Sequence, residues 1–286
     1  MIITSRNNPR IKEAAELVRS SDARRSSGLY IVEGPRMVDE IPRELTKEIF
    51  MSESYAARQP DICDIIKDDE RTEDQSSQCS VKYFELHDPE DRPDDVFSVT
   101  PVTVVSDDVF AKISDTKNPQ GIAAVVRMKQ YTVDELLTGG PVLILENIQD
   151  PGNLGTMIRS AEGAGAGGII IDPNTVDVYN PKVIRATMGA FFRVPHVVCG
   201  IREAVAALHE AGYVVYAAHL DGQESFTGVS YGRAAFMIGN EGRGLSDAAA
   251  ALADVRIRIP MEGKLESLNA SVAASLLMYE WHRQKH

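Results

Sequence analysis

Apolar residues follow two rhythms along this chain. From residue 141 onward, short apolar-rich segments alternate with stretches in which apolar residues recur every three or four positions. PVLILEN at 141–147, GGIIID at 167–172, YVVYAAHL at 213–220, AAFMIGN at 234–240 and VRIRIPM at 255–261 predict strands, and the unbroken apolar run of PVLILEN predicts burial on both faces. The stretches between them predict helices. Leu154, Met157, Ile158 and Ala161 form one stripe, VIRATMGAFF at 183–192 and IREAVAALHEAG at 201–212 follow, and a last helix over 269–283 carries Val272, Leu276 and Tyr279 on one face. This alternation predicts a parallel sheet covered by helices.

The first half reads as a smaller α/β domain. Residues 7–20 predict a helix with Ile11, Ala14, Ala15 and Val18 inward. GLYIVEG at 28–34 predicts a strand, with Pro35 suited to the first turn of a helix. EIFMS at 48–52, VKYFEL at 81–86 and GIAAVV at 121–126 predict further strands. The expected organisation is a domain over 1–127, a linker with a short helix over 128–140, and a second domain over 141–286.

Composition narrows the class. Hydrophobic residues make up 43% of 286 positions, enough for packed cores. MIITSRNNPR at the start does not read as a signal peptide, and no apolar run approaches a membrane span. Cys63, Cys79 and Cys199 lie far apart without metal spacing, which suggests a reducing cytoplasm and no metal site. The formal net charge of −12 argues against a general nucleic-acid coat. Residues 61–95, however, hold thirteen acids against four bases, while residues 1–36 hold seven bases against four acids. A local basic face near the start and an ordinary solvated helix are both compatible with that.

Candidate chemistry sits in three polar-glycine clusters: NIQDPGNLGTMIRSAEGAG at 147–165, FMIGNEGRGLS at 236–246 and IPMEGKLESLNASVAASLLMYE at 259–280. Each falls where a strand ends or a helix begins, the place where α/β sheets hold ligands. Gly163, Gly165 and Gly168 match the dinucleotide pattern G-x-G-x-x-G literally, but they follow a helix and precede a strand. They therefore read as a helix end and a packing contact.

Asn153-x5-Arg159, Asn240-Glu241-x-x-Gly244 and Ser267-Leu268-Asn269-x-Ser271 resemble the three motifs of the SpoU/TrmH family of RNA ribose 2′-O-methyltransferases, within the SPOUT superfamily, in order and spacing. The match covers residues 141–283. NPRIK at 8–12, YIVEGPR at 30–36 and SDTKNPQGIAAVV at 114–126 are similar to the family's substrate-binding domain, itself like RNA-binding ribosomal proteins. The resemblance implies a trefoil-knotted catalytic domain, a homodimer with active sites at the subunit interface, and S-adenosylmethionine as methyl donor. The implied acceptor is a ribose 2′-hydroxyl of RNA, ribosomal RNA ahead of tRNA. A non-catalytic RNA-binding or assembly protein and a base methylase on the same fold are the alternatives.

The resemblance also assigns roles. Asn153, Arg159, Glu241, Ser267 and Asn269 are its catalytic positions, and Gly239, Ile259 and Leu268 would surround the adenine and ribose of the donor. Each has a plainer reading. Asn153 suits a helix N-cap, as do Ser267 and Asn269. Arg159 lies off the apolar stripe and suits a surface salt bridge, or an oxyanion through its fork of donors. Glu241 would organise the site through Arg159 or the RNA. Ile259 and Leu268 suit core. Arg10, Lys12, Arg24, Arg25, Arg185 and Arg243 are candidate RNA contacts, and His196, His209, His219 and His282 have no assigned role.

Overall fold

The computed structural model describes residues 2–59, 100–264 and 267–286. The strand expected at 81–86, the acidic run, Cys63 and Cys79 lie outside the described residues. The chain divides into two compact units: residues 1–129 with 179–181, and residues 130–178 with 182–286.

The first unit contains α1 (Pro9–Arg19), α2 (Ser21–Ser27), β1 (Leu29–Glu33), α3 (Pro35–Asp39), β2 (Thr46–Ser52), α4 (Glu53–Ala56), β3 (Val102–Val105), α5 (Asp107–Phe110) and β4 (Ile122–Arg127). Its four-stranded sheet has the order β1-β4-β2-β3. β4 runs antiparallel to β1 and β2, and β2 runs parallel to β3. Helix α1 starts at Asn8, whose side chain accepts from the Arg10 amide, with Pro9 in the first turn. The buried face is Ile11, Ala14, Ala15 and Leu17, so the helical phase places Leu17 inward and leaves Val18 half-buried. Ser20 ends α1 and caps α2 through the Ala23 amide, which divides a basic stretch into two helices.

Two polar residues of this unit are unusually enclosed. Arg24 is buried and donates to the Leu17 carbonyl at 2.7 Å, covering an open C-terminal carbonyl of α1. It is therefore a structural residue, not a surface RNA contact. Glu33, 6% exposed at the end of β1, accepts from both the Ser114 hydroxyl (2.8 and 2.9 Å) and the Thr116 hydroxyl (3.1 Å). The Gln120 amide completes the set at 3.1 Å, so one carboxylate ties YIVEGPR to SDTKNPQG.

The second unit contains β5 (Val142–Leu145), α6 (Pro151–Gly163), β6 (Gly168–Ile171), α7 (Pro181–Thr187), β7 (His196–Val198), α8 (Ile201–Glu210), β8 (Val214–Ala218), β9 (Glu224–Ser225), β10 (Ala234–Ile238), α9 (Asp247–Ala250), β11 (Val255–Arg258) and α10 (Ala270–Lys285). Its seven strands, in the order β7-β6-β5-β10-β8-β11-β9, are all parallel. β5, β6 and β10 are buried along their whole length, as their unbroken apolar runs require. Leu136, in a 3-10 turn within the stretch expected as linker, is fully buried in this unit's core.

Three local readings change. The helix expected over 183–192 is two pieces: α7 stops at Thr187, and a 3-10 turn over Ala190–Phe192 follows Met188 and Gly189, both with positive φ. In α10 the buried face is Ala270, Ala274, Leu277, Met278 and Trp281. Val272, Leu276 and Tyr279 share a face, but it is the open one, 47%, 37% and 48% exposed. No helix among the described residues is long and apolar enough to cross a membrane.

Candidate active site

The three clusters meet at the carboxyl ends of β5 and β10 and the start of α10. Glu146, just past β5, accepts from the Ser246 amide (2.8 Å) and hydroxyl (2.6 Å), joining the first loop to the second. Asn240 donates its side-chain amide to the Asn147 carbonyl at 2.8 Å, and Asn147 itself holds a positive φ of 55°. The second loop closes on itself through paired backbone bonds between Asn240 and Gly244. Gly239 makes that closure possible, because a Cβ there would collide with the backbone of Gly244 and Leu245.

Glu241 is the hub. Its carboxylate accepts from the Gln149 amide (3.2 Å), the Asp150 amide (3.1 Å) and the Asn153 side-chain amide (3.0 Å). Partial burial pushes this carboxyl up, but the hydrogen bonds from Asn153 and from backbone amides outweigh burial and hold it below the usual carboxylate range. Asn153 in turn accepts from the Asn269 side-chain amide at 2.9 Å. The Asn269 oxygen accepts from the Ser271 and Val272 amides and so caps α10. The relay Glu241–Asn153–Asn269 therefore crosses all three clusters.

These residues line an open cleft of about 690 Å³ formed by Gln149, Asp150, Asn153, Glu241, Ser267, Leu268 and Asn269. No group of three or more histidine, cysteine or carboxylate side chains suited to a metal occurs among the described residues.

Residues 140–279 match the SpoU rRNA Methylase family, and residues 8–124 match the MRM3-like substrate binding domain. The 23S rRNA (guanosine(2553)-2′-O)-methyltransferase RlmP of Bacillus subtilis is 29% identical over 97% of each chain. An uncharacterized tRNA/rRNA methyltransferase of Archaeoglobus fulgidus is 36% identical over 55% of this chain and 71% of its own. This chain belongs to the SpoU/TrmH family of RNA methyltransferases. Its fold agrees with that of solved relatives. A structure of an RNA 2′-O ribose methyltransferase aligns with a TM-score of 0.73 at 26% identity over 100% of this chain and 99% of that one. An AdoMet-bound rRNA methyltransferase from Sinorhizobium meliloti aligns at 0.78, 24% identity, over 99% and 97%.

Within this SpoU frame the motif residues divide. Asn153, Glu241, Ser267, Leu268 and Asn269 gather at the cleft. Arg159 does not. It lies exposed on α6, about 9 Å further along the axis than Asn153 and roughly 120° around it. The expected Arg159–Glu241 contact is absent among the described residues, because Asn153 and two backbone amides occupy the carboxylate instead. Nor is Asn153 the helix cap. Asp150 is, accepting from the Asn153 amide at 2.9 Å. An aspartate before Pro151 carries that signal in the sequence. Gly239 and Ile259 directly follow β10 and β11, Gly239 buried and Ile259 half-buried. Among the cationic candidates Arg10 is engaged with Glu48 and with Thr103 at 2.6 Å, whereas Lys12, Arg25 and Arg243 are exposed. Sequence reasoning passed over Glu146, Gln149 and Asp150, although all three lie within or directly before the first cluster.

Proposed function

We propose that this SpoU methyltransferase transfers a methyl group to a ribose 2′-hydroxyl of RNA, ribosomal RNA ahead of tRNA. S-adenosylmethionine is the donor used by this family, and its sulfonium supplies the activated methyl. The observation that carries the reading is the relay from Glu241 through Asn153 to Asn269, which fixes three polar side chains around one cleft. The full-length similarity to a protein named as a 23S rRNA 2′-O-methyltransferase favours ribosomal RNA.

Of the three residues expected at the donor, one lines the cleft and two directly follow strands. Gly239 directly follows β10 with its loop folded tightly behind it, Leu268 lines the cleft, and Ile259 directly follows β11. Main-chain groups and two apolar side chains suit an adenosine moiety. Asn153, Ser267 and Asn269 present amide and hydroxyl groups that orient the acceptor ribose. Both cleft carboxylates are committed to backbone amides, Asp150 as a cap and Glu241 as the hub. The hydroxyl proton therefore leaves to water or to a neighbouring RNA phosphate.

Arg159 stabilises the developing oxyanion and holds the phosphate, as a guanidinium that keeps its charge. Because it faces away from its own cleft, it serves the cleft of a second copy. The open α10 stripe of Val272, Leu276 and Tyr279, close to α6 where the Tyr279 hydroxyl lies against Gly163, is the surface that the second copy covers. A homodimer, a knotted threading of the second unit and a cytoplasmic setting follow from the same reading, with the first unit as the RNA-recognition domain.

The test is incubation of purified protein with labelled S-adenosylmethionine and RNA from a strain lacking the gene, beside Arg159→Ala. Alkali-resistant label in one RNA, lost in the variant, is the expected result. Label removed by alkali or placed on a base overturns ribose methylation. Absence of label on ribosomal RNA, tRNA and partly assembled subunits places the chain among non-catalytic RNA binders.

A further inference from the structure

Helices commonly end on glycine or asparagine in the left-handed region, since a longer side chain is strained there. Helix α7 ends at Thr187 and is followed by Met188, with φ 54°, and Gly189, with φ 95°. The residues on either side are held in place. Thr187 is fully buried with its hydroxyl donating to the Ile184 carbonyl at 2.7 Å. The Met188 amide donates to the Arg185 carbonyl at 3.3 Å, and Ala190 and Phe191 are buried behind it. Met188 itself is 55% exposed. A strained backbone that holds a large apolar side chain in solvent lowers stability without adding to the core. Such strain concentrates at functional positions.

Its location gives the strain a use. Helices α6 and α7 cross at Gly155, where a Cβ would collide with Ala186 and lie 2.8 Å from the Val183 carbonyl. Arg159 stands one turn after Gly155 on the same face, and helical side chains lean back toward the N-terminus, over that crossing. Farther along α6, Glu162 pairs with Arg193, which follows the Ala190–Phe192 turn. Met188 lies two residues beyond Ala186 and Arg159 four beyond Gly155, so both closely follow this crossing along their chains and both are exposed.

We propose that Met188 is a nucleobase contact: its side chain packs against the face of a base at or beside the methylated nucleotide while Arg159 holds the adjoining phosphate. The proposal rests on the placement of Arg159 at the RNA made above. An enzyme that reacts a ribose hydroxyl must hold an unstacked nucleotide, and unstacked bases are held by apolar and aromatic side chains that cover their faces. A thioether on an unbranched chain is polarizable and adapts to a flat ring.

Glycine at this position separates the two consequences. Met188→Gly relieves the left-handed strain and removes the contact. Its Tm should be equal to or above that of the parent, while KM for RNA rises about 10-fold. KM for S-adenosylmethionine and the molecular mass of the particle in solution should stay unchanged. Met188→Leu, which keeps an apolar chain, should retain the parent KM for RNA. An unchanged KM for RNA in Met188→Gly overturns the proposal. A fall in the mass of the particle overturns it too and assigns the residue to a contact between copies. Arg159→Ala is read on kcat in parallel. If kcat is unaffected there while Met188→Gly still raises KM for RNA, the role of Arg159 fails and the base contact stands.

Discussion

Asn153 donates to Glu241 at 3.0 Å and accepts from Asn269 at 2.9 Å, so its amide plane is fixed from both ends. Neither interaction tolerates a flip of that amide. A donor would then face the Asn269 amide, and an oxygen would face a carboxylate.

This relationship makes Asn269→Asp informative. Aspartate keeps the cap on α10, so stability should stay within about 0.5 kcal/mol of the parent. The donor to Asn153 is lost, however, and two oxygens oppose each other. Methyl transfer should fall by about 10-fold or more in kcat/KM. Circular dichroism melts and single-turnover transfer measure the two effects separately. Equal activity of variant and parent would remove the relay from catalysis.

Glu241→Gln replaces one acceptor with a donor amid the Gln149, Asp150 and Asn153 amides. At least one of those amides loses its partner, at a cost of about 1–3 kcal/mol. Weaker donor binding by calorimetry is expected, because this carboxylate holds the second loop to the first. Glu241→Asp, which shortens the reach but keeps the charge, should lie between the two.

His196 gives the fold a pH dependence. It is 7% exposed, packed between the Tyr131 and Phe191 rings, and its Nδ1 lies 3.2 Å from the Val194 carbonyl. Burial lowers its pKa from 6.5 to about 4, with only a small opposing effect of the Val194 carbonyl. The neutral ring is thus favoured in the folded state, and its contribution is complete above pH 6.5. It declines as pH falls toward 4, by up to about 3 kcal/mol. Urea unfolding at pH 7 and pH 4.5 should show the loss, and His196→Phe should flatten that part of the profile. A parent and variant with identical slopes would show that another group dominates acid sensitivity.

Arg24 and Arg25 are adjacent but should behave oppositely. Arg24→Ala uncovers the α1 carbonyls and leaves a cavity, so it should cost about 2–3 kcal/mol. Arg25→Ala should leave stability within about 0.5 kcal/mol. If Arg25 meets phosphate, its loss also lowers the salt dependence of RNA binding. Thermal melts and filter binding at two salt concentrations distinguish the two arginines.

Much of the second unit was legible because strands buried on both faces leave unbroken apolar runs. The three motif loops were legible because glycine, asparagine and acidic residues cluster at their ends. Strands β7 and β9 were not, since two or three residues give no period to detect, and the four-residue β3 was passed over although its VTVV run is apolar and β-branched. The α10 stripe was visible as apolar, but its direction was not. Periodicity identifies an apolar face without saying whether core or a second copy covers it. The carboxylate of Glu33 likewise left no mark in the pattern, because its partners lie some eighty positions later in the chain.

The position of β10 has a temporal consequence. It lies between β5 and β8, and Ala235 pairs with both Val142 and Val215. As the chain emerges during synthesis, both flanking strands are present before the one that separates them. The nascent sheet must therefore either keep a slot open or pair β5 with β8 wrongly and reopen. Maturation of this enzyme thus waits on its last fifth, and factors that shield exposed strand edges on the ribosome should act on it most strongly during that interval.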